Sequence, residues 1–334
     1  MITNQKKILA TLFFLLLGLS CVYPQTVKIK KINNGFITQN EIDKTVTSLM
    51  DSAGVTGLSL AVLNNNKVAY LKTYGFKNKE KNELIDKNTI IMGASFSKVV
   101  FTYIVMQLVQ EGLIDLDKPI YEYLNLPMSE YEKYFEPGSY DNYKKITGRM
   151  CLNHTTGLPN IPTGKLNIYF EPGTRFAYSG VGINVLQNVV EKITKKSLEE
   201  LAVEKVFKPL GMNRTSYVWQ ERFQNNYADG HDILEMTLKY DKMSQVGGGG
   251  SLLTIISDYA KFVEAIMQKK GLQEPIWNEM LSPTISIKSK HQFATFSNET
   301  TDQYDSIMLS YGLSWGMFNC KYGKAFFKEG HAPG

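Results

Sequence analysis

Ser95-Phe96-Ser97-Lys98 sets a hydroxyl and an amine three residues apart at the head of the apolar run Val99-Val-Phe-Thr-Tyr-Ile-Val-Met-Gln-Leu-Val109. That run predicts a largely buried helix, ended at Gly112 by a left-handed cap. Residues three apart share a helix face. A serine at the helix start lies near unpaired backbone N–H groups and the positive end of the dipole. An alcohol becomes a useful nucleophile when a neighbouring base takes its proton. The same residues also make an ordinary helix cap, Ser95 or Ser97, beside a solvated lysine. A Ser-x-x-Lys is expected about once by chance in a chain this long, so its meaning depends on partners.

Working outward, Ile42, Val46, Leu49 and Met50 suit an amphipathic helix over 41–50. Two extended runs, Gly57 to Leu63 and Lys67 to Tyr74, flank Asn64-Asn65-Asn66 and read as a β-hairpin. After 90–95 the middle of the chain is mostly helical: Val181 to Ile193, Leu198 to Val206, and a helix to Met267 capped by Ser257-Asp258. Strand character returns over Tyr311 to Phe318 and Lys324 to Lys328. Strands at both ends with helices between predict an α+β fold, with an antiparallel sheet built from both termini and a helical region beside it.

The chain has 334 residues, 43% hydrophobic and 21% charged, values close to average that argue against disorder and against a polytopic membrane protein. The net charge of +5 comes from dispersed lysines, so no nucleic-acid partner is indicated. Lys6 and Lys7 precede the apolar stretch Ile8 to Leu19, a secretory signal too short for a comfortable membrane span. Gly18-Leu19-Ser20-Cys21 loosely resembles a bacterial lipoprotein cleavage box, so the expected location is exported, periplasmic or held at the cell envelope by a lipid on Cys21. Of three cysteines, Cys151 and Cys320 remain beyond the leader, both in apolar or aromatic surroundings, and read as buried free thiols or one disulfide. Four histidines without ligand spacing give no reason to expect a metal, and no cofactor is expected. Without a linker or repeat, residues 26–334 read as one domain after a leader over 1–25. Its sheet part covers about 36–85 and 305–334, and its helical part about 90–300.

Two further motifs supply what Ser95 and Lys98 lack. Tyr178-Ser179-Gly180 lies between the turn Glu171-Pro172-Gly173 and a helix. Beside lysines, Tyr178 has its phenolate favoured and its pKa lowered, which suits proton exchange with Ser95 and a leaving group. Lys328-Glu329-Gly330 ends the strand Ala325-Phe326-Phe327 and precedes His331, with a glycine that permits close approach by a ligand. Taken singly, these are a buried aromatic and an edge-strand lysine.

Together they resemble the serine β-lactamase and penicillin-binding-protein superfamily, in its class C β-lactamase, D-Ala-D-Ala carboxypeptidase and esterase branch. The family elements Ser-x-x-Lys, Tyr-x-Asn and Lys-Thr-Gly or His-x-Gly have counterparts in order at Ser95, Tyr178 and Lys328. Leu152-Asn-His-Thr-Thr-Gly-Leu-Pro159, Phe207 to Met212, Gly248 to Leu253 and Tyr311 to Trp315 also look like the family. The resemblance covers about 40–334. It implies acyl transfer through an ester on Ser95, with Lys98 sharing the serine proton and Tyr178 as base and then acid. Lys328 would supply positive charge near Tyr178 and near a substrate carboxylate, while the N–H groups of Ser95 and His331 would form the oxyanion hole. Gly180, Asn184 and Gly330 would line the substrate site.

Two departures matter. Gly180 replaces the family asparagine that helps hold the acylamino group, weakening the case for β-lactams and favouring esters or atypical peptides, with Asn184 as a candidate substitute. The family also continues past this point with two strands and a helix, about 40 residues at average lengths. A C-terminally truncated chain is therefore the expectation. The function expected is an exported serine hydrolase acting on a β-lactam, a cell-wall peptide or a small ester. The alternatives are a catalytically silent envelope binding or regulatory module, or an inactive fragment.

Overall fold

Residues after Ser95 form the predicted helix, and the site is assembled around its first turn. The computed structural model describes residues 28–238 and 242–332. The leader expected over 1–25, Cys21, Pro333 and Gly334 lie outside these residues.

The described residues divide into two units, one up to Leu49 and one from Met50 onward. In the first, β1 (Lys28–Lys30) and β2 (Phe36–Thr38) pair antiparallel with Ile29 opposite Ile37. Helix α1 (Gln39–Ala53) follows. The backbone N–H and hydroxyl of Thr38 donate to Glu41 Oε2 at 2.7 Å each, and the N–H of Glu41 donates back to Thr38 Oγ1 at 3.2 Å. This reciprocal arrangement satisfies otherwise orphaned helix-start donors. The second unit holds every candidate site residue.

There β3 (Gly57–Asn64) and β4 (Lys67–Asn78) form the expected hairpin, with Asn64 opposite Lys67. Asn65 and Asn66 take φ of 50° and 58°, the left-handed pair that a two-residue turn between twisted strands demands. On the other side β4 pairs with β5 (Glu83–Leu84). Next, β6 (Ile91–Ala94) runs into α2 (Phe96–Gln110). Ten consecutive residues of α2, Ser97 to Met106, are buried, as expected for a helix apolar on every side. Around it pack Ile183, Leu186 and Val190 of α3 (Gly180–Thr194), Leu198 and Leu201 of α4 (Leu198–Ala202), and Tyr217, Phe262 and Trp277. The helix expected to reach Val206 continues beyond α4 as a wider π-helical turn over Val203–Phe207.

Three local expectations are corrected. Helix α5 (Ile256–Met267) has Ile255 at its cap position, and Asp258 does not cap it. Asp258 is 2% exposed, and its carboxylate accepts from the Arg214 N–H at 2.7 Å and from Lys261 Nζ at 2.8 Å. A distant orphan donor outcompetes the local one. The strand expected over 311–318 is broken, because Ser314 takes φ of 63° and Gly312 N–H donates to Trp315 O at 2.8 Å, closing a turn. Both cysteines are free, Cys151 buried and Cys320 exposed, so the burial expected of Cys320 does not hold.

Short strands β7 (Gly230–His231) and β8 (Thr237–Leu238) pair with each other, and β9 (Leu252–Thr254) pairs with β6. Toward the C-terminus, β10 (Ile285–Ser286), β11 (Ser310–Tyr311), β12 (Gly316–Cys320) and β13 (Gly323–Phe327) form a four-stranded antiparallel sheet in that order. The α+β class with antiparallel strands gathered toward both ends is as the sequence predicts. The strands form separate ladders where one sheet was expected. A sheet propagates only through strands paired on both edges, and β3 bonds to β4 alone and β13 to β12 alone among the described residues.

Candidate active site

The turn from β6 into α2 fixes Ser95. Ala94 sits at φ 43°, a conformation that costs a non-glycine residue roughly 1–3 kcal/mol and persists only where its surroundings enforce it. Ser97 helps enforce it, its hydroxyl donating to Ala94 O at 2.5 Å and accepting from Leu252 N–H at 2.9 Å. Ser97 is thus a structural link between β6 and β9. Ser95 holds the cap position but makes no side-chain cap. Its hydroxyl lies 2.9 Å from Lys98 Nζ.

Lys98 is 2% exposed, and its Nζ also donates to Gly249 O at 2.5 Å and lies 4.9 Å from the centre of the Tyr178 ring. Burial, followed by the charge of Lys328, lowers its pKa to about 7, while Glu329 pulls it upward. Lys98 is therefore an amine poised to hold or release a proton near neutrality. Gly249 belongs to the glycine cluster, which the sequence marks as a loop but not as a lysine ligand.

Lys328 follows β13 and reaches Tyr178 Oη at 2.8 Å and Tyr311 Oη at 3.0 Å. Burial lowers its pKa to about 8, with Glu329 again opposing. For Tyr178 the expected direction is reversed. Burial pushes its pKa up, outweighing the hydrogen bond with Ser95 that pulls it down. Desolvation dominates because the ring is 2% exposed in a cluster with Phe176 and Tyr311. Tyr178 is a neutral phenol.

Sequence reasoning also missed His154, although its stretch was singled out. His154 brackets Tyr178: its carbonyl accepts from Ala177 N–H at 2.9 Å, and its Nδ1 accepts from Ser179 N–H at 3.2 Å. Its ring centre lies 4.2 Å from that of Tyr178 and 5.0 Å from that of Tyr311. Burial, then Lys328 and Lys98, hold its pKa well below the usual histidine value. With Nδ1 accepting, the proton belongs on Nε2, which is buried without a partner.

Gly330 packs against Ser95. A Cβ there would lie 2.9 Å from Gly93 O and 3.3 Å from Ser95 N, so only glycine lets this segment approach the start of α2. A cavity of about 510 Å³ opens at this point, lined by Ser95, Lys98, Asn160, Gly180, Asn184 and His331 among others. Gly180 is equally constrained: its N–H donates to Asn160 Oδ1 at 3.0 Å, and a Cβ would fall 2.6 Å from Asn160 O. Asn184, one turn further along α3, lies at the cavity and accepts from Gly249 N–H at 3.3 Å through Oδ1. Of the residues singled out in the sequence, Ser95, Lys98, Gly180, Asn184 and His331 line this cavity, and Tyr178, Lys328 and Gly330 connect to it through Lys98, Tyr178 and Ser95 respectively.

Residues 42–334 match the beta-lactamase family. The chain belongs to it. A beta-lactamase of Pseudomonas fluorescens is 25% identical over 284 residues, covering 83% of this chain and 74% of that protein. Several further curated relatives are spanned over only about half their length or less. The D-alanine carboxypeptidase AmpC of Burkholderia cenocepacia shares the fold with a TM-score of 0.65 at 17% identity, covering 84% of this chain and 74% of that one. EstCE1, a hydrolase with promiscuous acyltransferase activity, does so with a TM-score of 0.66 at 17% identity, covering 83% and 82%. Within the pattern described above, the Ser-x-x-Lys and tyrosine elements stand intact here, Gly180 occupies the asparagine position of Tyr-x-Asn, and Glu329 the middle position of Lys-Thr-Gly or His-x-Gly.

Proposed function

We propose that this beta-lactamase-family chain is an exported bacterial serine hydrolase that transfers an acyl group to Ser95, from a small ester or an atypical peptide in preference to a β-lactam. The observation that carries the reading is the near-neutral Lys98 amine 2.9 Å from Ser95 Oγ.

The chemistry follows from the protonation states. Neutral Lys98 takes the Ser95 proton as Oγ attacks the substrate carbonyl. The resulting oxyanion is met by the N–H groups of Ser95 and His331, donors each worth about 3–4 kcal/mol of barrier. Tyr178, a phenol anchored by Lys328, gives its proton to the leaving group and regains one through Lys98. Water then attacks the ester by the reverse path. Tyr178 is thus better matched to the acid step than to abstracting the serine proton.

Preference for esters rests on Gly180. Asn160 occupies the space where a side chain at position 180 would project, so the family's asparagine contact is absent and Asn160 and Asn184 line the cavity instead. Export rests on the basic-apolar leader, and a lipid on Cys21 would hold the protein at the envelope. Cell fractionation of the intact gene product and of Cys21→Ser tests this.

For the chemistry, the test is incubation with a fluorophosphonate, a penicillin and a short-chain p-nitrophenyl ester, followed by mass spectrometry. A Ser95 adduct that vanishes in Ser95→Ala supports the reading. No adduct from any of the three on folded protein overturns it in favour of a silent binding module.

A further inference from the structure

The middle residue of Lys328-Glu329-Gly330 puts a carboxylate at the Lys328 side of the site. Glu329 Oε1 accepts from Gln292 Nε2 at 2.6 Å, while Oε2 is shut away from solvent without a hydrogen-bond partner. The same loop touches the reacting groups: Gln292 O accepts from Tyr178 N–H at 3.3 Å, and Phe293 meets the rings of Tyr178 and His331 edge-on at 5.5 and 6.2 Å. Glu329 is therefore fixed between the loop at 292–293 and the Lys328 strand end. Its charge reaches both Lys98 and Lys328, raising the proton affinity of each.

A buried carboxylate oxygen without a donor is stabilised by nearby cations. Lys98 and Lys328 are the two cations beside Ser95, and each is only fractionally charged around pH 7–8. Glu329 attracts what positive charge they retain. An incoming carboxylate next to the scissile bond would compete for the same two amines and meet a like charge near them, an arrangement that selects against such a partner.

We propose that Glu329 sets the substrate class, selecting acyl donors whose leaving side is neutral or cationic and rejecting those with a carboxylate beside the scissile bond. This rests on the reading of Ser95 as the acylated nucleophile. It goes further by placing β-lactams and peptides with a free C-terminal carboxylate outside the preferred substrates, for an electrostatic reason separate from Gly180.

The test is a matched pair of esters with one acyl group, a phenyl ester and its m-carboxyphenyl counterpart, assayed by kcat/KM with the wild-type protein, Glu329→Gln, Glu329→Thr and Glu329→Asp. Wild type is expected to favour the neutral ester by about tenfold or more. Glu329→Gln and Glu329→Thr should largely erase that ratio, chiefly through KM for the carboxylate ester, and Glu329→Asp should retain it. Because Glu329 holds both lysine pKa values up, Glu329→Gln should also move the acid limb of the rate profile to lower pH, which a merely structural role would not do. A wild-type ratio near one or favouring the carboxylate ester overturns the proposal, as does a ratio unmoved by Glu329→Gln and Glu329→Thr. Labelling of Ser95 by the uncharged fluorophosphonate separates the two levels: no labelling removes the nucleophile reading itself, whereas labelling with an unmoved ratio removes only the role of Glu329.

Discussion

Replacing Lys98 by methionine should abolish acylation and at the same time stabilise the protein at low pH. The lysine amine titrates at about 7 in the folded chain against 10.5 for an ordinary lysine. At about 1.4 kcal/mol per pH unit, holding it as an ammonium costs the fold about 5 kcal/mol. Its folded pKa is depressed, so below pH 7 both states carry the proton and the full penalty applies. Between about 7 and 10.5 the unfolded chain keeps a proton that the folded chain has released, and stability climbs with pH. Methionine has similar bulk and no charge, but it leaves Ser95 Oγ and Gly249 O without a donor, at about 1 kcal/mol each. Lys98→Met should therefore be more stable than wild type by about 3 kcal/mol at pH 6, and that advantage should shrink by nearly as much by pH 9. Lys328 repels Lys98, so the pH dependence of the difference reports the titration of the coupled pair. Urea denaturation of both proteins at pH 6, 7, 8 and 9 provides the measurement. Parallel stability curves, or a wild type more stable at pH 6, would refute the claim that Lys98 is a desolvated amine.

The rate of Ser95 acylation by a neutral ester should be bell-shaped in pH. It should rise through about 7 as Lys98 loses its proton and fall above about 8 as Lys328 loses its own, with roughly tenfold loss per pH unit on each outer limb; a rate unchanged from pH 5 to 7 would exclude Lys98 as the base. Gly180→Asn should lower stability by about 1–3 kcal/mol, since its Cβ would fall 2.6 Å from Asn160 O, and should not increase turnover of a chromogenic cephalosporin; thermal melting and a spectrophotometric assay decide it. His154→Phe should cost about 1–3 kcal/mol by leaving the buried Ser179 N–H unsatisfied, and should slow fluorophosphonate labelling through a displaced Tyr178. Labelling at the wild-type rate would mean that His154 does not position the tyrosine.

Much of the site was legible because its parts are punctuated locally. Ser95 precedes an apolar run whose burial follows from its composition, and Tyr178 and Lys328 each end a recognisable turn or strand. Their assembly was anticipated through resemblance, and five of the eight singled-out residues line one cavity, with Tyr178, Lys328 and Gly330 beside them. What stayed hidden has partners far along the chain. Gly249, 151 residues from Lys98, supplies a bare carbonyl that no side-chain identity could advertise. Tyr311 and His154 fall within stretches that look like the family, and only their contacts with Lys328 and Tyr178 give them a role. The Tyr178 pKa was misjudged because neighbouring charge is visible in a motif whereas desolvation is not.

The sequence by itself determined the local conformations: the hairpin turn at Asn65-Asn66, the buried helix after Ser95, and the order of hydroxyl, phenol and amine along the chain. These depend on backbone sterics and on residue spacing within a few turns. The tertiary structure alone decided that Ser97 links strands while Ser95 stays free to react, that Asp258 serves a distant N–H, and that the end strands form separate ladders. It also decided that Lys98 is near-neutral, that Asn160 closes the space at Gly180, and that Glu329 lies between a loop and two lysines. Each of these depends on which groups burial brings together and how much water it removes, and neither quantity is written in any short window of the chain.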